Sequence, residues 1–178
     1  MINQVFVLRH FKTEHNISGK INGRSLNLPV LETSPIISDY QFDNIICSQA
    51  VRCKQTIDQY IIYHDTSEVL YTSEILERDM GIFEGQYRSE MKDKYPELFF
   101  DNKFDVFATP PSGESYEDFY QRVVHFWNKY SSELNGSLLI CSHNQFLKML
   151  SFVISGKELT NKKWNSFSFP YGQRVRIR

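Results

Sequence analysis

The chain has 178 residues, a length that suits one domain with a substantial core and is short for two. Hydrophobic residues make up 41% and charged residues 23%, which excludes a disordered or fibrous protein. The 20 Lys and Arg residues nearly balance 21 Asp and Glu residues. The resulting formal net charge of -1 argues against nucleic acid as a partner.

The N-terminus and the cysteines bear on the cellular location. The apolar run at residues 5–8 is too short for a signal peptide, and no run in the sequence is long enough to span a bilayer. The three cysteines are odd in number and lack CxxC spacing, so we expect buried, reduced thiols at Cys47, Cys53 and Cys141. These features predict a cytoplasmic protein with no membrane partner.

The first half of the chain predicts three strands and one helix. Buried strands are expected at residues 5–8 and 44–47, and a weaker one at residues 69–71. Apolar residues recur at helical spacing over residues 50–61, which predicts a helix with Ser48 as its N-cap.

The middle of the chain loses its periodicity. Residues 81–113 contain prolines and scattered aromatic residues without a regular spacing, so we expect an excursion with little regular structure. Its central part, at about residues 86–112, is expected to cover the functional site. The aromatic residues could stack on a ligand, or they could pack the excursion onto the domain.

The last third predicts alternating helices and strands. Ser115 and Asp118 resemble a capping box before a long amphipathic helix, which Asn135-Gly136 ends. A buried strand at residues 138–141, a helix at 146–154 and an edge strand in the alternating tail follow. Strands interleaved with helices predict an α/β protein: a single three-layer α/β/α domain over residues 1–178, with a mostly parallel central sheet.

Three of the predicted strands run into polar residues at their carboxyl ends, where open α/β sheets bind ligands. The first is followed by Arg9-His10, the second by Ser48 with Arg52 in the next helix, and the third by Ser142-His143-Asn144. If these strands are neighbours, two histidines and two arginines meet near helix N-termini. Arginine and helix N-termini both favour a phosphoryl group, and imidazole can attack phosphorus.

A metal site is the rival use of the same residues, with His10, His15, His143 and Glu77 as ligands. The neighbouring cations Arg9, Lys12 and Arg52 would repel a metal ion, and no ligand pair has zinc-like spacing. We therefore expect neither a metal nor a cofactor.

The segment LRHFKTEHN, residues 8–16, resembles the opening signature of the histidine phosphatase superfamily, also called the phosphoglycerate mutase-like family. The usual form of that signature is LRHGxTxxN. Further segments agree with the family in order along nearly the whole chain: Asn22-Gly23-Arg24, residues 48–52 with Thr56, residues 77–81 with Glu84-Gly85, Gly113-Glu114-Ser115, and Ser142-His143.

The resemblance implies a phosphoglycerate mutase-like fold and specific residue roles. His10 resembles the nucleophile that becomes phosphohistidine, and Glu77 the general acid that protonates the leaving oxygen. The side chains that correspond to the clamp on the phosphoryl oxygens are Arg9, Arg52 and His143. Substrate contacts are expected from Asn16, Asn22, Gly23, Arg24, Arg78 and Asn144.

Three features depart from the family pattern. Phe11 stands where the family has glycine after the catalytic histidine, so we expect it to reshape or narrow the pocket floor. Residues 28–44 are short for the family's first helix, and two prolines suggest that little helix survives there. Gln49 replaces a proline that is usual in the turn after the second strand.

Three functions remain open at this point. The favoured one is a phosphatase that hydrolyses a small phosphomonoester. The second is a phosphoglycerate mutase, disfavoured because the excursion is short and no tail follows the last predicted strand. The third, motivated by Phe11, is a non-catalytic binder of a phosphorylated ligand. We expect Lys12, His15, Arg24 and Arg78 to ring the pocket mouth and favour a second anionic group, and the oligomeric state stays open.

Overall fold

A computed structural model describes residues 1–36, 40–61 and 68–178, with the backbone alone at residue 61. The strands in this part of the chain are β1 Ile2–Arg9, β2 Asn44–Ser48, β3 Val69–Thr72, β4 Phe99–Phe100, β5 Lys103–Phe104, β6 Gly136–Ser142 and β7 Arg174–Arg176. The α-helices are α1 Glu14–Ser18, α2 Val51–Ile61, α3 Arg88–Lys94, α4 Tyr116–Glu133, α5 Asn144–Ser155 and α6 Asn161–Asn165. Short 3-10 helices occupy Gly81–Phe83 and Pro96–Leu98.

The central sheet has five strands in the order β3-β2-β6-β1-β7. The first four are parallel, and β7 pairs antiparallel to β1 at the edge. Because β6 lies between β1 and β2, the three strands that end in polar residues are neighbours, which meets the condition set in the sequence analysis for their polar residues to converge.

Alternating side chains of the sheet feed two separate cores, which gives the three layers. On one face Leu138 and Ile140 of β6 pack with α4 and α5, and on the other face Leu139 and Cys141 pack with α2. Burial on both faces explains why the parallel strands are continuous apolar runs. The predicted α/β class with a mostly parallel sheet is confirmed.

Two helix starts test the capping predictions. Ser115 caps α4 as expected, since its Oγ accepts a hydrogen bond of 3.0 Å from the Asp118 N–H. The N-cap prediction for Ser48 is wrong. Ser48 is the last residue of β2 and α2 begins only at Val51, while the Ser48 hydroxyl bonds to His143 at 3.0 Å and to the Ala50 N–H at 3.4 Å.

The excursion is more regular than the sequence predicted. It contains the helix α3, both 3-10 turns and the two-stranded β4-β5 ribbon. Its aromatic residues form a small core of their own, in which Phe83 contacts Tyr95, Phe99 and Phe104. Mutual packing, without an apolar period along the chain, holds this segment together. That is why pattern analysis missed its elements.

Two further features concern the chain course and the membrane. Residues 28–36 and 40–43 contain no helix, in line with the expected loss of the family's first helix, and residues 37–39 of that stretch lie outside the described part. Among the described residues, no helix combines the length and the apolar composition that crossing a membrane requires.

Candidate active site

The carboxyl ends of β1, β6 and β2 meet at one edge of the sheet and open into a cavity of about 510 Å³. The register pairs Leu8 of β1 and Cys47 of β2 with the same residue of β6, Cys141. The residues that follow these positions therefore come together. The His10 N–H donates to the carbonyl of Ser142, 3.1 Å away, which ties the start of the first loop to the end of β6.

His10 lines this cavity with a ring that is almost fully buried. Its Nδ1 lies 2.6 Å from the carbonyl oxygen of Phe11. A carbonyl oxygen accepts and never donates, so Nδ1 carries the proton and Nε2 keeps a free lone pair. Burial and the positive charges of Arg52 and Arg9 hold the pKa of His10 well below its usual range. The ring is thus neutral and nucleophilic at neutral pH.

Arg9 lies beside His10 at the end of β1. Its guanidinium stacks on the ring of Tyr171, with 3.6 Å between Cζ and the ring centroid, and one Nη donates to the Phe169 carbonyl at 2.9 Å. Its Nε has no acceptor among the described residues. Burial lowers the pKa of Arg9. The fixed position and the unused donor suit a contact with a phosphoryl oxygen.

Arg52 comes from the first turn of α2 and is fully buried. Three of its five N–H groups are used: Nε donates to His143 Nδ1 at 3.2 Å, Nη1 to the Leu26 carbonyl at 2.8 Å, and Nη2 to the Gly23 carbonyl at 2.9 Å. The other two remain for a ligand in the cavity that Arg52 lines. A second fixed cation therefore faces the position of His10.

His143 lies beneath the lining. Its ring centroid is 5.3 Å from that of His10. Its Nδ1 accepts from Arg52, so Nε2 carries the proton and donates to Ser48 Oγ at 3.0 Å. Burial, followed by Arg52, holds the pKa of His143 well below its usual range. His143 thus lies close to His10, as the sequence predicted, but both of its ring nitrogens bond to the protein and it is not among the residues that line the cavity.

Glu77 supplies the acidic group of the cavity. Its Oε1 accepts from the N–H groups of Arg78 and Phe146, at 3.0 and 3.2 Å, and its Oε2 from the Gln145 N–H at 3.2 Å. Two of these donors belong to the first turn of α5, where the helix dipole favours negative charge. The carboxylate is therefore held rigidly at the edge of the cavity, which it lines together with His10.

Four of the predicted substrate residues also line the cavity: Asn16, Asn22, Gly23 and Asn144. Internal bonds fix the asparagines. Asn16 Oδ1 accepts from the Thr13 N–H at 3.0 Å, and Asn144 Oδ1 accepts from the Phe169 N–H at 3.1 Å. Gly23 has a φ of 63°, and a Cβ there would overlap the carboxylate of Glu84, so the close approach requires glycine.

A sequence model of the histidine phosphatase superfamily (branch 1) matches residues 5–177. The chain belongs to the histidine phosphatase superfamily.

A sequence relative agrees with this membership, and solved structures share the fold. The chain is 28% identical over 165 residues to a broad-specificity phosphatase of Saccharomyces cerevisiae, covering 84% of this chain and 69% of the relative. Its fold is similar to that of a mycobacterial glucosyl-3-phosphoglycerate phosphatase, with a TM-score of 0.75 at 15% identity over 97% of this chain and 88% of the other. An α-ribazole phosphatase from Shigella flexneri gives a TM-score of 0.69 at 18% identity, over 98% and 89%.

Two residues that the family resemblance placed in the substrate site lie elsewhere. Arg78 is fully buried, and its guanidinium donates to the carbonyls of Val106, Ala108 and Glu114. These bonds anchor the excursion, and Arg78, for which a substrate contact was expected, does not line the cavity. Arg24 forms an ion pair of 2.8 Å with Glu114 and does not line the cavity either.

The basic rim of the cavity also differs from the prediction. Neither Lys12 nor His15 lines it, and four other cations do: Lys20, Arg88, Lys103 and Lys148. Glu77 is the sole acidic residue of the lining within the described ranges, so the lining presents excess positive charge to a ligand.

The described part contains no group of three or more His, Cys, Asp or Glu residues arranged to hold a metal ion.

The two other departures from the family pattern have structural explanations. The N–H of Gln49 donates to the Thr72 carbonyl at 3.2 Å, a bond that the usual proline could not form. Phe11 is not among the residues that line the cavity; it lines a separate groove with Leu31 and Tyr171. The expectation that Phe11 reshapes or narrows the pocket floor therefore finds no support in the lining of the cavity.

Gly172 is the residue that makes room for Phe11. It has a φ of 64°, and a Cβ at this position would overlap the Phe11 ring. Its N–H donates to the Arg9 carbonyl at 2.8 Å, next to the Tyr171 ring on which Arg9 stacks. Phe11 and Gly172 thus form a complementary pair behind Arg9.

We expect Gly172→Ala to destabilise the protein by more than the roughly 1–2 kcal/mol of a left-handed non-glycine residue, because the methyl group also meets Phe11. Denaturant unfolding of Gly172→Ala, Phe11→Ala and the double variant measures both contributions. Phe11→Ala should relieve part of the Gly172→Ala cost. Strict additivity of the two changes would contradict the steric pairing.

Proposed function

We propose that this protein is a metal-independent phosphatase that hydrolyses a small phosphomonoester through a phosphohistidine on His10. One observation carries the proposal: His10 lines a positively charged cavity with its proton fixed on Nδ1, so that Nε2 is free to attack. The family membership and the phosphatase relatives support the same reaction class.

In the first step, Nε2 of His10 attacks phosphorus, the N–P bond forms, and the bond to the ester oxygen breaks. Arg9 and Arg52 neutralise the charge on the phosphoryl oxygens, the largest requirement of phosphoryl transfer. His143 orients Arg52 through the bond to its Nε. It can contact a phosphoryl oxygen itself once Nε2 exchanges its bond to Ser48.

Glu77 moves the proton in both steps. In the first step it gives a proton to the leaving oxygen and becomes a carboxylate. In the second step this carboxylate takes a proton from water as the water oxygen attacks phosphorus. The N–P bond breaks, inorganic phosphate leaves, and Glu77 is protonated again.

The geometry removes the reason for the binder hypothesis, whereas the mutase alternative needs an experiment. The binder hypothesis depended on Phe11, whose ring lies outside the cavity. A mutase would use the same histidine and return the phosphoryl group to an alcohol. A 2,3-bisphosphoglycerate-dependent phosphoglycerate mutase of Methanosarcina acetivorans is 33% identical, over 49% of this chain.

Phosphate release from a panel of phosphosugars, phosphoglycerates, nucleotides and phosphopeptides, with and without EDTA, tests the proposal. We expect release that EDTA does not change. Conversion of 3-phosphoglycerate to its 2-isomer without phosphate release would establish the mutase. Loss of activity with EDTA that added metal restores would contradict the metal-independent mechanism.

We also propose a cytoplasmic location and a small phosphorylated substrate as the partner, without nucleic acid. The free, buried thiols of Cys47, Cys53 and Cys141 support a reducing compartment.

A further inference from the structure

Lys148 is a charged residue buried in apolar surroundings. It lies on α5, where its neighbours Leu147 and Met149 are fully buried, and it is itself only 4% exposed. The lysine lines the active-site cavity, on the same helix whose first turn holds Glu77. A buried lysine that faces a cavity is either paired within the protein or available to a ligand.

Lys148 has no such partner within the protein. Among residues 1–36, 40–61 and 68–178, its Nζ forms neither a hydrogen bond nor an ion pair. It lies 4.3 Å from the ring centroid of Trp164 and 5.2 Å from that of Phe167. Both aromatic rings hold the ammonium from the protein side. A lysine ammonium carries three hydrogen-bond donors, and none of those of Lys148 has an acceptor in the described part of the fold.

The electrostatic surroundings of Lys148 are unfavourable to its charge. Burial, followed by the positive charge of Lys103, lowers the pKa of Lys148 to about 8, while Glu77 opposes this effect. Glu77 forms no ion pair with Lys148 in the described part of the chain, and its carboxylate accepts three backbone N–H groups instead. The lysine is nevertheless mostly protonated at neutral pH. A buried, charged group without a counter-ion costs stability, so an anion in the cavity would relieve a cost already present.

A second lysine widens the same positive region. Lys103, at the β4-β5 ribbon of the excursion, lines the cavity and is fixed there by a bond of 2.7 Å from its Nζ to the Asn165 carbonyl. Lys148 comes from the domain and Lys103 from the excursion, and both belong to the same cavity as His10. The phosphoryl clamp of Arg9 and Arg52 does not use either lysine.

We propose that Lys148, assisted by Lys103, binds a second anionic group of the substrate, so that the preferred substrates are small phosphomonoesters that also carry a carboxylate or a second phosphate. The inference rests on the proposed phosphatase function and names its substrate class. The sequence analysis also expected a substrate with a second anionic group, but it assigned the binding of that group to other cations at the pocket mouth. In this proposal Lys148 and Lys103 bind it.

Matched substrate pairs test this proposal on the full chain. Glycerol 3-phosphate and 3-phosphoglycerate differ by a carboxylate, and glucose 6-phosphate and glucose 1,6-bisphosphate differ by a phosphate. We expect kcat/KM to be about 10- to 100-fold higher for the doubly anionic member of at least one pair, the range of one charge-assisted hydrogen bond. The pair with the larger ratio identifies the second group.

Lys148→Met should reduce that ratio to nearly one, by lowering kcat/KM for the doubly anionic substrate and leaving its monoanionic partner within a few-fold. Lys148→Arg should keep most of the preference. Lys162→Met makes the same chemical change at an exposed position outside the cavity, and it should retain the wild-type ratio. Lys148→Met should also raise the melting temperature, because it removes a buried unpaired charge.

Binding to a His10→Ala background separates this inference from the phosphatase proposal. We expect calorimetry to show tighter binding of the doubly anionic compounds, and Lys148→Met to abolish the difference. If wild-type protein releases no phosphate, the proposed function fails and these affinities still decide the role of Lys148. Equal affinity or equal kcat/KM within both pairs would overturn the inference. Equal loss on both members of a pair in Lys148→Met, with 3-phosphoglycerate still preferred, would also overturn it.

Discussion

Replacing His10 by alanine is expected to reduce kcat by at least ~10⁴-fold, to the limit of detection. The variant loses the Nε2 lone pair, and no other described side chain in the cavity can replace it: His143 lies beneath the lining with both nitrogens bonded. Steady-state phosphate release on the best substrate of the panel measures the effect.

Two controls keep the interpretation of His10→Ala specific. His125→Ala makes the same substitution on the exposed surface of α4 and should behave as wild type. His10→Ala should still bind the substrate, because Arg9 and Arg52 remain. Residual turnover within about tenfold of wild type would exclude His10 as the nucleophile.

Glu77→Gln is expected to slow hydrolysis of alkyl phosphates by about 10²- to 10⁴-fold, the usual contribution of a general acid or base. The amide keeps the shape of the side chain but cannot release a proton to the leaving oxygen. The first step should be far less affected for p-nitrophenyl phosphate, because p-nitrophenolate leaves without protonation. A pre-steady-state burst of p-nitrophenol from Glu77→Gln, followed by slow turnover, is the expected signature.

The leaving-group comparison separates chemistry from structure. In Glu77→Gln the new amide nitrogen would face at least one of the three N–H groups that donate to the Glu77 carboxylate, so some loss of stability accompanies the change. A structural defect would slow the first step for both substrate types equally. That result would contradict the general-acid role. Glu133→Gln, at the exposed end of α4, serves as the matched control.

The sheet and the polar edge that carries the candidate site could be predicted from the sequence because they depend on short-range patterns. Strands such as β6 are continuous apolar runs, and a parallel sheet brings the residues after each run to one edge. His10 directly follows β1, and Arg52 lies four residues after the end of β2, in the first turn of α2. Their convergence required only that β1, β6 and β2 be neighbours.

The rest of the site depends on contacts that no local pattern encodes. Arg24 and Arg78 follow the family motifs, yet Glu114 and the excursion carbonyls take up their guanidinium groups. Serine is a preferred N-cap residue, but the hydroxyl of Ser48 also bonds to the neighbouring His143. One signal was present and unused: Lys148 is a charged residue within the apolar pattern of α5.

The most direct test of the account is rapid-quench trapping of the enzyme during turnover, followed by mass spectrometry of the peptide that contains His10. The account predicts a phosphoryl group on His10 that is labile in acid, forms at the rate of the first step and is absent from His10→Ala. Glu77→Gln should accumulate it with p-nitrophenyl phosphate. Full turnover without any phosphorylated His10 in the quenched wild-type enzyme, or phosphorylation of another residue at the same rate, would contradict the central claim.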